Sequence, residues 1–291
     1  MITSAGPVLL ALAASACFGL ALIVTQFGLR HVKAADGALV SIPIMTLLFW
    51  LLSPFNLDFA TWQAGAAAIF AVVGIFFPAA VTLLTYESNQ RMGPTITGAL
   101  GSTAPLFATI AAVSLLGEEL TVYSVAATLA IVAGIVTLSW RPDVGSHRWP
   151  AYFLLLPLGA AAVRGLAQAV LKMGFAIWPS PFAASLICYS VSVVSIAVDA
   201  RFRRRIIRPA LNKSGIFWFT MVGFSNGAAV LLLYAALSLG AVTIVAPTVA
   251  TYPVFVLLLG ALLLPDQRIT AHSALGTMLT VVGIITLLLT R

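Results

Sequence analysis

Arg164 is the residue best placed to do chemistry, because it lies near the middle of an apolar stretch over residues 151–176. A guanidinium that faces lipid at such a depth is costly, so we expect this side chain to face a protein interior or a water-filled cavity. Its fork of N–H donors suits a carboxylate or another anion, which predicts an anchor for an anionic ligand. The alternative is a structural arginine whose donors are satisfied by helix carbonyls or by Glu87.

Glu87 is the second candidate, since it is the one acidic residue of eight that lies within an apolar stretch, near the end of residues 63–88. A carboxylate in a low-dielectric environment can take up a proton near neutral pH, so Glu87 is a candidate protonatable coupling site. The alternative is an i,i+4 ion pair with Arg91 at the edge of the membrane.

Further polar and aromatic side chains interrupt the apolar stretches and could line the same interior site. Gln168 follows Arg164 by one helical turn, and Phe18 matches Arg164 in an internal repeat described below. The other candidate binding residues are Gln26, Thr82, Tyr86, Ser102, Thr103, Asn226, Tyr234, Thr251 and Tyr252. For a single Ser or Thr, the alternative is a hydrogen bond between helices or within its own helix.

Four prolines also lie inside apolar stretches, namely Pro43, Pro78, Pro105 and Pro253. A proline removes an amide donor and kinks its helix. These positions are therefore either hinges for a conformational change or static kinks that shape a bundle, and the sequence leaves both interpretations open.

The composition indicates which solvent surrounds these residues. Of 291 residues, 61% are apolar and 8% are charged, and the mean hydropathy is +1.09, whereas a soluble domain is about 45–50% apolar and about 25% charged. The chain is therefore an integral membrane protein, and disorder, coiled coil and nucleic-acid binding are excluded as global interpretations. The net charge of +7 comes mainly from residues between apolar stretches. The basic cluster at 201–208 suits anionic lipid.

No metal site or cofactor is expected from the sequence. The three histidines, His31, His147 and His272, are scattered and show no ligand spacing. Cys17 and Cys188 both lie in apolar stretches, where a small core residue is the simpler interpretation than a disulfide or a metal ligand.

The apolar stretches predict an all-α membrane protein with ten transmembrane helices, since a helix needs about 20 apolar residues to cross the bilayer. The alternating pattern of a transmembrane barrel is missing from these stretches. The predicted spans are 7–29, 37–53, 63–88, 95–116, 122–140, 151–176, 182–199, 215–238, 243–264 and 272–290.

Two halves of the sequence resemble each other, which predicts one five-helix repeat over 7–140 and a second over 150–290. The segment STAPLF at 102–107 matches ATYPVF at 250–255, and GIVTL at 134–138 matches GIITL at 283–287. The matches keep a spacing near 146–149 residues throughout. Because each repeat has an odd number of helices, the second must enter the membrane from the opposite side, which predicts an inverted pair with a binding site where the repeats meet.

These motifs resemble the drug/metabolite transporter superfamily, specifically the EamA-type permeases. The resemblance covers essentially the whole chain and includes the Gly-rich first helix of each repeat, STAPLF, ATYPVF and the acidic LGEEL at 116–120. The second copy of the acidic motif departs from the pattern and reads LPDQR at 264–268. Membership implies export or exchange of small organic solutes, most often amino acids or related metabolites, in a bacterial inner membrane.

The positions of the basic residues predict an orientation. Loops between spans 1–2, 3–4, 5–6, 7–8 and 9–10 carry twelve of the fifteen Lys and Arg residues. The positive-inside rule places these loops in the cytoplasm and both termini outside, whereas members of the superfamily usually keep their termini in the cytoplasm.

The sequence thus predicts a secondary transporter that works by alternating access, with a small molecule and membrane lipid as its partners. The sequence contains no GxxxxGK[ST] phosphate-binding motif, so we expect that this chain does not itself use ATP to drive transport. Proton coupling would depend on Glu87, and a monomer or weak homo-oligomer is expected. A lipid flippase or passive facilitator is the alternative, and an enzyme is disfavoured because clustered acids, histidines and metal ligands are missing.

Overall fold

A computed structural model describes residues 6–57, 61–139, 150–202, 213–263 and 271–289, and every regular element in them is helical. The helices are α1 (Gly6–Gly28), α2 (Ala34–Asn56), α3 (Ala64–Phe76), α4 (Ala79–Gly101), α5 (Ala104–Leu116), α6 (Val122–Ser139), α7 (Leu155–Ile177), α8 (Pro181–Phe202), α9 (Lys213–Leu239), α10 (Val242–Val249), α11 (Tyr252–Leu263) and α12 (Ala271–Leu289). A 3₁₀ turn over Ala151–Leu154 precedes α7.

Seven segments within the described residues are long and apolar enough to cross a membrane. Two of them join consecutive helices, namely α3 with the first part of α4, and α10 with α11. The apolar helices at Ala104–Leu116 and Val122–Gly134 are shorter. The all-α membrane protein is therefore confirmed, while the full set of ten crossings stays a prediction.

The fourth and ninth predicted spans are broken rather than continuous, which corrects the expectation that Pro105 and Pro253 kink a single helix. Helix α4 ends at Gly101 and α5 begins at Ala104, while α10 ends at Val249 and α11 begins at Tyr252. A proline has no N–H for the carbonyl four residues earlier. For the two prolines, that carbonyl belongs to Gly101 and Val249, where the preceding helices end.

The other two prolines behave differently. Pro43 lies inside the continuous helix α2. Pro78 lies in the short turn between α3 and α4, so the third predicted span consists of two helices. The gap predicted between the third and fourth spans is also not a loop, because α4 runs through it with a kink at Gly93, whose φ of 79° suits glycine.

The two repeats pack on each other through equivalent glycines. A Cβ atom on Gly19 of α1 would lie 2.7 Å from Phe255 Cβ of α11, and one on Gly165 of α7 would lie 2.7 Å from Phe107 Cβ of α5. Gly165 follows Gly19 by 146 residues, and Phe255 follows Phe107 by 148. The first helix of each repeat thus packs closely on the broken span of the other repeat.

Equivalent helices run antiparallel where they touch. A Cβ atom on Gly134, in the later part of α6, would lie 2.7 Å from the carbonyl oxygen of Gly276 near the start of α12. A Cβ atom on Gly283, later in α12, would lie 2.9 Å from the carbonyl oxygen of Ala127 near the start of α6. Helices α6 and α12 therefore run in opposite directions, as expected of two repeats with opposite orientations in the membrane.

The close contact at Gly165 gives a stability prediction. In Gly165→Ala the new Cβ would lie 2.7 Å from the backbone atoms Ala104 O and Ala108 N, and we expect a loss of about 1–3 kcal/mol in unfolding free energy from overpacking. The matched control is Gly159→Ala on the same helix, whose Cβ would meet only Leu84 Cδ1 at 3.8 Å.

Thermal unfolding of the detergent-purified variants measures the effect. The control is expected to be neutral or slightly stabilised, because Ala forms helix better than Gly by about 0.8–1.0 kcal/mol. Equal melting temperatures for the two variants would contradict the close packing of the repeats at this contact.

Candidate functional site

Arg164 lies on α7, where the two repeats meet. Its Cζ is 5.5 Å from the ring centroid of Phe18 on α1 and 5.8 Å from that of Tyr252 on α11. Its Nε is buried and has no hydrogen-bond partner among the described residues. Glu87 pairs with Arg91 instead, so the alternative in which Glu87 satisfies Arg164 is wrong. A buried arginine donor without an acceptor is costly unless an anion or water supplies one.

Two small cavities meet at Arg164, with volumes of about 30 Å³ and about 40 Å³. Both are lined by residues of α1, α4, α7 and α9, namely Phe18, Thr85, Tyr86, Arg164 and Asn226. Thr82 lines the first cavity and Tyr252 the second. Sites that enclose small molecules usually measure about 300–1,000 Å³. The structure is therefore closed around Arg164, and the space there fits a few waters.

The tyrosines beside Arg164 are held by polar contacts across the bundle. The Tyr86 hydroxyl and Ser41 Oγ lie 3.2 Å apart. The Tyr252 hydroxyl donates to the carbonyl of Gly98 at 3.1 Å, which ties α11 to α4. Both rings are thus fixed in place by hydrogen bonds to other helices, and Arg164 contacts the Tyr252 ring through its π face.

Six of the predicted binding residues line these cavities, namely Arg164, Phe18, Thr82, Tyr86, Asn226 and Tyr252. Six others do not, namely Gln26, Gln168, Ser102, Thr103, Thr251 and Tyr234. Ser102 and Thr103 donate to the carbonyls of Gly98 and Leu100 in the last turn of α4. Thr251 donates to Thr248 O at 2.7 Å and lies 3.0 Å from Ser15 Oγ. These three hydroxyls sit at the breaks in the broken spans, where they satisfy helix ends.

The repeat equivalence of Tyr86 and Tyr234 does not extend to the cavity. Tyr234 is fully buried and packs against Phe77 and Phe175, with ring centroids 6.3 Å and 6.0 Å away. Gln168 is also buried, and its Oε1 has no partner among the described residues. Sequence reasoning missed Thr25 and Thr85, which follow Phe18 by seven residues and Thr82 by three, so helical spacing could have identified both.

A larger open vestibule lies at one end of the bundle, with a volume of about 460 Å³. It is lined by Glu87, Arg91 and Asp199 together with Tyr152 and Phe153 of the 3₁₀ turn. Arg91 lies over the Phe153 ring at 4.5 Å and pairs with Glu87 one helical turn away. The candidate coupling residue therefore faces the vestibule rather than the closed cavities at Arg164.

The opposite end of the bundle is held by a polar clamp, which we define as Glu118 and Lys172 with the α9–α10 turn between them. Glu118, in the turn after α5, accepts hydrogen bonds from the amides of Val242 and Thr243 at 2.9 Å and 3.0 Å. Lys172 Nζ donates to the carbonyls of Leu237 and Gly240, both at 2.8 Å. The carboxylate thus caps the start of α10 and the ammonium caps the end of α9, each at the favourable pole of its helix dipole.

The matching positions of the first repeat cannot form the same clamp. Lys172 corresponds to Gln26, and Val242 corresponds to Pro94, which has no amide hydrogen to donate. Gln26 Oε1 is buried and has no partner among the described residues. Asp266, which corresponds to Glu118, lies outside the described residues.

Helix α7 orders these features along the bundle. Leu156 lines the vestibule, Arg164 meets the closed cavities, and Lys172 belongs to the clamp. Successive members are eight residues apart, or about 12 Å along a helix. Arg164 therefore lies midway between the open end and the clamped end.

Comparison with known proteins identifies the family. The EamA-like transporter family matches the chain twice, over residues 6–140 and again over residues 151–289. The chain belongs to the EamA-like transporter family. The two-repeat organisation is thereby confirmed, and with it the resemblance described above. No curated protein matches this EamA-like chain in sequence.

A protein of known crystal structure shares the EamA-like fold seen here. The two are 17% identical in sequence, with a TM-score of 0.73, over 96% of this chain and 94% of that one. At this identity the likeness shows the fold alone. Within the part of the chain that the structure describes, no three His, Cys, Asp or Glu residues group as metal ligands.

The geometry at Glu87 predicts the behaviour of Glu87→Gln. The side chains of Glu87 and Arg91 are 36% and 43% exposed and lie one helical turn apart. We therefore expect the unfolding free energy to change by less than about 0.5 kcal/mol. Because Glu87 lies away from the closed cavities, we also expect transport to keep its wild-type pH dependence. Loss of uptake driven by a pH gradient, with exchange retained, would instead establish Glu87 as the proton carrier.

Proposed function

We propose that this EamA-like protein is a secondary transporter that exports or exchanges small organic solutes bearing a carboxylate, such as amino acids or related metabolites. The observation that carries the proposal is Arg164, whose buried Nε has no partner and whose guanidinium sits between aromatic rings where the repeats meet. A guanidinium binds a carboxylate through two parallel hydrogen bonds. Phe18 and Tyr252 would then pack against the body of the solute.

The broken span beside Arg164 adds to this preference for an anion. Helix α11 begins at Tyr252, whose ring Arg164 contacts. The helix dipole places partial positive charge at that end. Pro253 has no amide hydrogen and Val254 N donates to Thr251 O at 2.9 Å, so the contribution of this helix start is the dipole rather than a set of free amides. Discontinuous helices whose starts face an anionic substrate group are a recurrent arrangement in transporters built from inverted repeats.

Alternating access between two inverted repeats of five spans is the mechanism we propose. Three observations support it: the antiparallel contact of α6 with α12, the vestibule at one end of α7 and the clamp at the other. The cavities at Arg164 are too small for a solute, so binding needs one end to open. The proposed ten crossings are the seven long apolar segments together with three spans to which α5, α6 and α12 contribute.

The proposed location is a bacterial inner membrane, with the vestibule end in the cytoplasm. Three basic residues lie near that end, namely Arg30 in the turn after α1, Arg91 in α4 and Arg201 in the last turn of α8. This orientation places both termini outside. A C-terminal reporter fusion tests it, because alkaline phosphatase active at that terminus supports the orientation and an inactive enzyme contradicts it.

Reconstitution in liposomes tests the function through Arg164. Wild-type protein is expected to give saturable counterflow of a carboxylate-bearing metabolite, and Arg164→Gln to reduce it by about a hundredfold or more, as for loss of a buried charged hydrogen-bond partner. Arg164→Lys keeps the charge but not the fork, so an intermediate loss is expected.

The matched control is Arg30→Gln, since Arg30 is exposed and stacks over Phe27 at the membrane edge. Full transport of every carboxylate substrate by Arg164→Gln would refute the site. Translocation of labelled lipid without solute counterflow would favour a flippase.

A further inference from the structure

We infer that the site at Arg164 selects solutes with one net negative charge over zwitterionic amino acids of the same shape. This inference rests on the proposed function and narrows its substrate class. Among the described residues that line the two cavities, Arg164 is the single charged side chain. The others are neutral, and the polar ones are Thr25, Thr82, Thr85, Tyr86, Asn226 and Tyr252.

The acidic groups nearest along the bundle are already engaged. Glu87 pairs with Arg91 on the vestibule side of α4. Glu118 accepts two backbone amides at the clamped end. A substrate ammonium at Arg164 would therefore meet no carboxylate from these residues.

The charge balance of the occluded complex then decides the preference. An arginine keeps its proton in proteins, so the empty site carries one positive charge. A monoanion neutralises that charge. A zwitterion binds to Arg164 through its carboxylate but leaves its ammonium close to the guanidinium in a low-dielectric environment. An uncompensated charge buried in the membrane interior is costly, so the neutral complex is favoured.

The hydroxyls around the site are poor substitutes for an anion. Thr25 Oγ1 donates to Ala21 O at 2.7 Å, and the Tyr252 hydroxyl donates to Gly98 O. Their remaining lone pairs can accept a hydrogen bond from an ammonium but cannot cancel its charge. Hydroxy and keto acids, by contrast, present a carboxylate to Arg164 and a neutral group to these hydroxyls.

Matched pairs of solutes test the inference on purified wild-type protein in liposomes. The pairs are lactate with alanine, 2-hydroxyisocaproate with leucine, and phenyllactate with phenylalanine, so that each pair differs mainly in the charge of one substituent. We expect at least one hydroxy acid to half-saturate counterflow at about a tenfold lower concentration than its amino acid. Arg164→Lys should keep the preference, while Arg164→Gln should remove it.

The outcomes separate the inference from the proposed function. Equal or better counterflow of the amino acids would overturn the inference and leave a carboxylate transporter in place. No saturable counterflow with any of the three pairs would overturn both. Arg30→Gln, outside the site, is expected to keep the wild-type ratio within each pair.

We further propose that the clamp is the gate at its end of the bundle, and that the two ends are unequal. This proposal rests on separate observations: four short hydrogen bonds of Glu118 and Lys172 that tie α7 and the α5–α6 turn to the α9–α10 turn. At the matching end, Gln26 and Pro94 replace Lys172 and Val242, and the vestibule stands open. Opening the clamped end must break charge-assisted hydrogen bonds, whereas closing the vestibule does not.

Spin labels at both ends test the gate in full-length protein. Cys17→Ala and Cys188→Ser provide the background, with one label pair at Tyr123 and Leu239 beside the clamp and another at Arg30 and Tyr152 beside the vestibule, all exposed positions. Glu118→Gln is expected to raise the open-to-closed ratio of the clamp pair about tenfold. The vestibule pair should shorten at the same time.

The reciprocal change distinguishes a gate from a purely structural contact. Glu119→Gln is the matched control, because Glu119 is the exposed neighbour of Glu118, and it is expected to leave both distances unchanged. A longer clamp distance with no change at the vestibule, or no change at either pair, would overturn the proposal.

Discussion

A positive charge that cannot be removed, held inside an apolar bundle, is the constraint on which this structure depends. Arg164 lies on a helix whose neighbours are largely apolar, and its Nε has no protein acceptor among the described residues. Lipid cannot solvate a guanidinium, so the bundle must supply π faces and space for a few waters around it. The aromatic rings of Phe18 and Tyr252 and the two small cavities meet that requirement together.

The two repeats provide the same framework twice but place different chemistry in it. Gly19 and Gly165 make equivalent contacts with the broken spans. The residue before each glycine differs, since Phe18 precedes Gly19 and Arg164 precedes Gly165. Backbone packing is therefore symmetric and charge is not. The clamp follows the same principle, because Val242 offers an amide to Glu118 where Pro94 cannot.

Much of the fold could be predicted from the sequence because lipid imposes a simple rule on apolar length. The repeats were visible in STAPLF and ATYPVF, and Arg164 stood out as a charge in an apolar stretch. The breaks before Ala104 and Tyr252 were not predicted, since hydropathy does not register a missing hydrogen bond. Tyr234 was expected at the site from its equivalence to Tyr86, but equivalence in a repeat does not fix which side chains face the cavity once neighbours such as Phe77 and Phe175 differ.

The exchange of contacts between repeats has a consequence for how the chain is made. Helix α1 is synthesised first, yet the residues it packs against, including Phe255 and Thr251, are among the last. During translation Gly19 and Ser15 therefore face lipid or the insertion machinery until most of the protein has emerged. Neither repeat alone contains the residues that its first helix packs against. Assembly of the bundle is therefore completed only after the final helices have been synthesised and inserted.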